Sequence, residues 1–247
     1  YSFLKKKIIK KFIFLDNLDQ IKIEQIKKKI KFQNTLFIII SKSGNTIETL
    51  VNCNLLKKKI TSKNSIIITE LKDNLLHAFA KKKRILQIAH KNYIGGRYSV
   101  LSEVGMIPAY FMGLKVDKFR RNLLYFFNSK QNSILTESIV KLAHIYNSKK
   151  IKSIIFLNYA PQLNEFLYWC QQLMAESLGK NGKGILPVVS PAPRDHHSMM
   201  QLYLDGPKDK LFYIFSLNLD VKIKKNFFEK SFKYAENKEL SKVILSQ

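Results

Sequence analysis

Four stretches of the 247-residue sequence carry side chains that could do chemistry together. Ser41-Lys42-Ser43-Gly44-Asn45-Thr46-Ile47-Glu48-Thr49-Leu50 packs four hydroxyl residues, a lysine and a glycine into one short segment. Where such a segment opens a helix, orphan N–H groups, hydroxyl donors and the positive dipole end favour a phosphate. It is not a Walker A loop, because no Gly-Lys-Ser/Thr closes it. The same residues read equally well as a capped helix start, since Ser and Thr are common caps. In Asn92-Tyr93-Ile94-Gly95-Gly96-Arg97-Tyr98-Ser99-Val100 a glycine pair precedes an arginine. The glycines permit a sharp turn with close backbone approach, and Arg97 then projects a fixed charge into a cleft or joins a structural ion pair. Glu176-Ser177-Leu178-Gly179-Lys180-Asn181-Gly182-Lys183-Gly184 and Pro193-Arg194-Asp195-His196-His197-Ser198 bring a carboxylate at a helix end and an imidazole 21 residues later. Glu176 and His197 are the pair of groups needed to move protons on and off carbon and oxygen. Taken alone, Glu176 reads more readily as an exposed helix residue, and His197 as a satisfied core or capping histidine.

Rigid elements must hold these groups, and the hydrophobic pattern predicts them. Residues 1–34 read as lysine-rich helical segments. Thr35–Ile40 is a continuous apolar run, the pattern of a strand buried on both faces. After the Ser41–Thr46 turn, helical spacing resumes over Ile47–Lys59. Ser65–Thr69 is a second strand, residues 71–83 a helix, Ile85–Ala89 a third strand, and Ser102–Met112 a helix. The polar stretch 128–133 is a plausible boundary. Beyond it the alternation repeats, with strands at Ser153–Leu157 and Leu211–Leu217 and a helix over Pro161–Leu178. Strands alternating with helices mean parallel sheets wrapped by helices, an α/β fold. Ligands of such sheets bind beyond the carboxyl ends of the strands, so the loops after these strands are the places to look.

Composition narrows the classes. Hydrophobic residues make up 46% and aromatics 12%, which excludes a disordered or collagen-like chain despite a formal charge of +25. No apolar run approaches the ~18 residues needed to span a bilayer, and the first residues lack the apolar core of a signal peptide. Cys53 and Cys170 have no CxxC or metal spacing, so a reduced, cytoplasmic setting is the default. The charge invites a nucleic-acid reading. However, only five of the 43 basic residues are Arg, and the lysines are spread along the chain. A lysine surplus on solvated helix faces accounts for it without a specific nucleic-acid partner.

Together the stretches resemble the glucose-6-phosphate isomerase (phosphoglucose isomerase) family. Its Ser-Lys-Ser/Thr phosphate loop, with a Thr three residues on, is matched by Ser41, Lys42, Ser43 and Thr46; its Gly-Gly-Arg-Phe/Tyr-Ser element by Gly95–Ser99. Its Glu-Ser-x-Gly-Lys element is matched by Glu176–Lys180, and its histidine element by His197–Leu202. The resemblance implies two sugar-isomerase (SIS) domains, each a mainly parallel sheet flanked by helices in three αβα layers. These are expected over 1–127, lacking its first strand and loop, and 134–247, incomplete at its C-terminal end. Asn92 stands where the family usually has Asp, and Glu103 where a small residue is usual. The family's upstream Gly-Ile-Gly-Gly-Ser loop and late Gln-x-Gly-Val-Glu-x-x-x-Lys element are both missing, which suggests a fragment or a shortened gene.

The implied activity is interconversion of glucose 6-phosphate and fructose 6-phosphate through a cis-enediol, in glycolysis and gluconeogenesis. Glu176 would be the base, its weak carboxylate tuned by burial and a nearby substrate carbonyl. Arg97 would stabilise the enediol oxygens, and His197, supplied by the partner subunit of a homodimer, would assist ring opening. Ser41, Lys42, Ser43 and Thr46 would hold the phosphate, with Gly96 lining the same cleft. No metal or organic cofactor and no membrane partner is implied. The competing reading is a non-catalytic SIS-type phosphosugar-binding module, which would need the phosphate loop but neither Glu176 nor His197.

Overall fold

The run Ser65-Ile-Ile-Ile-Thr69 is β-branched almost throughout, suits a pleated surface, and forms the central strand of a sheet. A computed structural model describes residues 11–121 and 131–217. Part of the expected 1–34 helical stretch, residues 128–130 of the expected boundary and the lysine-rich tail lie outside the described residues. The chain divides into two compact units, with residues 11–121 in the first and 131–217 in the second.

In the first unit β1 (Phe37–Ile40), β2 (Ser65–Thr69) and β3 (Leu86–Ala89) lie parallel in the order β1-β2-β3. Ile38 pairs with Ile66 and Ile67 with Gln87 in the two registers. The helices are α1 (Gln20–Lys29), α2 (Ile47–Leu56), α3 (Leu75–Lys83), α4 (Glu103–Phe111) and α5 (Val116–Arg121). Strands advancing in one direction through right-handed crossovers put their helices on one face. Accordingly, Cys53 and Leu56 of α2 and Leu76 and Ala80 of α3 share one core with Ile67, Phe37 and Ile39.

Two expectations change here. β1 is half-buried along its length, because among the described residues it pairs only with β2, whereas Ile67 and Ile68 of β2 are fully buried. Of the expected helical stretch, only Gln20–Lys29 is helical among residues 11–34 apart from a short 3-10 turn at Phe32–Asn34. Asp19 caps α1 by accepting from Lys22 N–H at 2.9 Å, so the helix starts there.

In the second unit β4 (Ser153–Asn158) is central, between β5 (Leu186–Pro191) and β6 (Lys210–Phe215), all parallel. Its helices are α6 (Gln131–Asn147), α7 (Asn164–Leu178) and α8 (Met200–Asp205). Leu167, Cys170 and Met174 of α7 pack with Ile154, Phe156, Leu211 and Tyr213. Phe212 points to the other face and meets Tyr203 of α8 edge-on at 5.3 Å. Helices therefore cover both faces. Successive connections leave β4 and β5 toward opposite faces, the arrangement that opens a crevice beyond the carboxyl ends. The hydrophobic pattern did not reveal β5 or α6.

Candidate active site

Ser41–Thr46 joins the end of β1 to the start of α2, as its composition predicts. The Ser41 N–H donates to Ile68 O at 3.1 Å, and Glu70 N–H to Lys42 O at 3.0 Å, so the loop begins as an extension of the ladder. The chain then turns sharply at Gly44, whose φ is +68°. A Cβ at Gly44 would overlap the side chain of Asn74, which is why only glycine fits. The hydroxyls of Ser41 and Thr46 lie 2.7 Å apart, and Ser41 Oγ accepts from Gly44 N–H at 3.2 Å. Ser43 and Thr46 are exposed at the rim, whereas Ser41 is buried.

The loop after β2 holds this turn in place. Buried Asn74 donates to Glu70 O at 2.9 Å and Lys72 O at 3.1 Å, and caps α3 by accepting from His77 N–H at 2.8 Å. Asn45 Oδ1 accepts from Leu75 N–H at 3.1 Å, and Gly44 O from Leu76 N–H at 3.1 Å. Glu70 is buried at the end of β2, with Lys72 hydrogen-bonded to it and Lys42 Nζ at 3.6 Å. The Lys72 contact, helped by Lys42 and opposed by desolvation, lowers the carboxyl pKa from the ordinary glutamate value. Lys42 also donates to Asn92 O at 3.1 Å, joining the first loop to the third.

The third loop follows β3. Gly96 and Arg97 lie in a 3-10 segment, Gly96–Leu101, where Ser99 Oγ donates to Gly96 O at 2.6 Å and Ser102 Oγ to Ser99 O at 2.7 Å. Arg97 is half-buried with its guanidinium 4.7 Å from the Tyr98 ring centroid. Neither Gly95 nor Gly96 has a positive φ, and open space surrounds the position of a Gly96 Cβ. The expected backbone approach occurs instead at Gly105, where a Cβ would overlap the carbonyl of Val100. All the first-unit residues, Ser41, Lys42, Ser43, Thr46, Gly96 and Arg97, thus follow the carboxyl ends of β1 and β3.

Glu176 and His197 belong to the second unit, on separate elements. Glu176 is in the last turn of α7, nine residues beyond Leu167 and hence half a turn round from the core. It is exposed rather than buried, and accepts from Gln172 Nε2 at 3.3 Å. His197 follows the 3-10 turn Arg194–His196 after β5 and is also exposed. Asp195, buried beneath this turn, accepts from Ser190 Oγ at 2.9 Å and Arg194 Nε at 3.1 Å. Beside it His196 Nε2 meets Tyr159 Oη at 2.8 Å, bridging the ends of β4 and β5. No local pattern marks Asn74, Asp195 or Tyr159, because each acts through a contact that only the fold creates. Burial raises the thiol pKa of both Cys53 and Cys170. Among the described residues no cluster of three His, Cys, Asp or Glu could hold a metal, and no helix is long and apolar enough to cross a membrane.

The family model described as phosphoglucose isomerase matches residues 3–186, which include both loops of the first unit and Glu176. The chain belongs to the phosphoglucose isomerase family. It is 36% identical to glucose-6-phosphate isomerase of Methanocaldococcus jannaschii, over 80% of this chain and 51% of that protein. To the probable glucose-6-phosphate isomerase of Methanococcus maripaludis it is 34% identical, over 100% of this chain and 58% of that one. A crystal structure of a hypothetical protein from Thermus thermophilus superposes with a TM-score of 0.82 at 26% identity, covering 96% of this chain and 61% of that chain. The chain therefore spans a little over half the length of these phosphoglucose isomerase relatives.

Proposed function

We propose that this chain carries most of the active site of an aldose–ketose isomerase that interconverts glucose 6-phosphate and fructose 6-phosphate in the cytoplasm, in glycolysis and gluconeogenesis. The observation that carries the reading is the pair of cross-linked loops at the carboxyl edge of β1–β3, with hydroxyls and an arginine on elements matched by the isomerase family. Ser41, Ser43, Thr46 and the N–H groups opening α2 anchor the phosphate, with Lys42 beside them. His197, from the partner of a homodimer, moves a proton at the ring oxygen to open the sugar. Glu176 takes the C2 proton of the open-chain aldose and returns it to C1, while the O2 proton passes to O1; the carbonyl moves from C1 to C2 and atoms balance. Arg97 offsets charge on the enediol oxygens, and Gly96 leaves room for them. The two units are read as SIS-type domains over 1–127 and 134–247.

The exposed position of Glu176 favours a second reading, a non-catalytic phosphosugar-binding module, because a general base needs a water-excluded site to work well. Conversion of fructose 6-phosphate to glucose 6-phosphate, with Glu176→Gln as control, separates the two. Turnover that falls ~10²-fold or more in the control supports the isomerase. An unchanged rate would sink the assignment of Glu176; phosphosugar binding without turnover would favour the module.

A further inference from the structure

We propose that His90 and Glu103 are positioning residues that lock the Arg97 loop at its base, an inference that rests on the isomerase reading given to Arg97. His90 is the first residue after β3, and Glu103 opens α4, so the two stand at opposite ends of the segment carrying Gly96 and Arg97. Their side chains meet at 2.6 Å, His90 Nδ1 to Glu103 Oε1. The second imidazole nitrogen, Nε2, lies 3.2 Å from the carbonyl oxygen of Ile94, inside the same loop. The His90 side chain is wholly buried and that of Glu103 is 19% exposed. A neutral imidazole has one N–H and satisfies one of these two acceptors, whereas an imidazolium satisfies both.

This clamp acts on geometry that Arg97 depends on. The backbone N–H of His90 donates to Thr69 O at 2.9 Å, which fixes the residue's backbone to the sheet. Ser102 caps α4 by accepting from Val104 N–H at 3.3 Å, which fixes Glu103 to the helix start. The His90–Glu103 contact joins these two anchors, and the Ile94 contact pulls the near arm of the loop against them. A carboxylate in the first turn of a helix is also favoured by the dipole. Burial pushes the Glu103 carboxyl up, yet its own N–H and His90 more than offset this and hold it below the ordinary value. The Tyr98 N–H donates to Gly95 O at 3.0 Å and closes the turn that carries Gly96 and Arg97.

The test reads the charge that Arg97 presents, independently of turnover. Two phosphorylated five-carbon ligands are titrated calorimetrically into the full chain: 5-phospho-D-arabinonate, whose carboxylate imitates the enediolate, and D-arabinitol 5-phosphate, which has no such charge. The ratio of their dissociation constants measures the preference for negative charge beside the phosphate. The wild type is expected to prefer the arabinonate by about tenfold, and Arg97→Ala to abolish that preference. Glu103→Ala should cut the preference about fivefold while leaving the affinity for arabinitol 5-phosphate within twofold, because misplacing a guanidinium weakens the charge contact and not the phosphate contact. Glu103→Gln, which keeps an acceptor for His90, should fall between. An undiminished preference in Glu103→Ala would overturn the proposal, and so would equal weakening of both ligands, which would assign the pair to the phosphate loop. Should Glu103→Ala not fold, His90→Gln reads the same ratio. No preference in the wild type, or one that survives Arg97→Ala, would overturn the reading of Arg97 itself, and the role of the pair with it.

Discussion

Gly44→Ala is the most informative single change to the candidate phosphate loop. The residue sits at φ +68°, where an L-residue costs about 1–2 kcal/mol. Its new methyl would also overlap the Asn74 side chain, which must then leave a buried position holding three hydrogen bonds. Losing the α3 cap costs about 1 kcal/mol, and the two bonds from Nδ2 about 1 kcal/mol each. The sum is roughly 4–5 kcal/mol. That is enough to lower the melting temperature of a unit this size by on the order of 10 °C or more. The only tryptophan, Trp169, lies in α7 of the other unit. Hydrogen exchange at the His77 and Ala78 amides reports the loss of the α3 cap directly. The decisive arm is Asn74→Ala in both backgrounds. With Asn74 shortened, Gly44→Ala has nothing to overlap, and its cost should drop to the backbone term of about 1–2 kcal/mol. Costs that simply add to within ~0.5 kcal/mol would refute the argument that Asn74 dictates glycine at position 44.

Further outcomes follow from the same contacts. Ser43→Ala combined with Thr46→Ala should raise KM for phosphorylated sugars; a fall in kcat alone would show that the loop is not a simple phosphate anchor. Leu167→Ala removes a fully buried side chain from the core of the second unit, and should cost about 2–5 kcal/mol in urea denaturation followed by Trp169 fluorescence. The folded-state pKa of Glu70 is depressed, so its contribution to stability is present above its unfolded pKa and is lost as pH falls through the folded value. Glu70→Gln should therefore flatten the acid limb of the stability profile below about pH 4.5, and an unaltered limb would remove Glu70 from that account.

Much of the fold was legible because period and composition act locally. The Ser65–Thr69 strand matches its expected bounds, and the strands and helices expected from residue 35 onward fall within a few residues of theirs. Of the expected N-terminal helical stretch, by contrast, only Gln20–Lys29 is α-helical among residues 11–34. The sequence concealed what depends on distant partners. Thr35–Ile40 reads as doubly buried because apolarity says nothing of edge or centre, and β1 proves half-buried. Leu186-Pro-Val-Val-Ser-Pro191 is a strand that contains two prolines, Pro187 and Pro191, which cannot donate to a ladder; pairing with β4 overrides that signal. The motif residues themselves were recognisable by type and order, but their partners were not. Asn74 reads as one more polar loop residue until its side chain is seen beneath Gly44.

These partners also bear on what Lys42 does. Its ammonium already has Glu70 at 3.6 Å and the Asn92 carbonyl at 3.1 Å, and Glu70 is shared with Lys72. A phosphate arriving at the rim would have to compete for a cation that two acceptors hold, whereas Ser43 and Thr46 stand exposed beside the first N–H groups of α2. On the proposed reading, anchoring would fall mainly to hydroxyls and backbone, with Lys42 a staple between the loops after β1 and β3. If that division holds, Lys42→Met should loosen the Arg97 loop as well as weaken phosphate binding, and its effect on kcat should exceed that of Ser43→Ala. A change confined to KM would instead make Lys42 an ordinary phosphate ligand, and the link to Asn92 incidental.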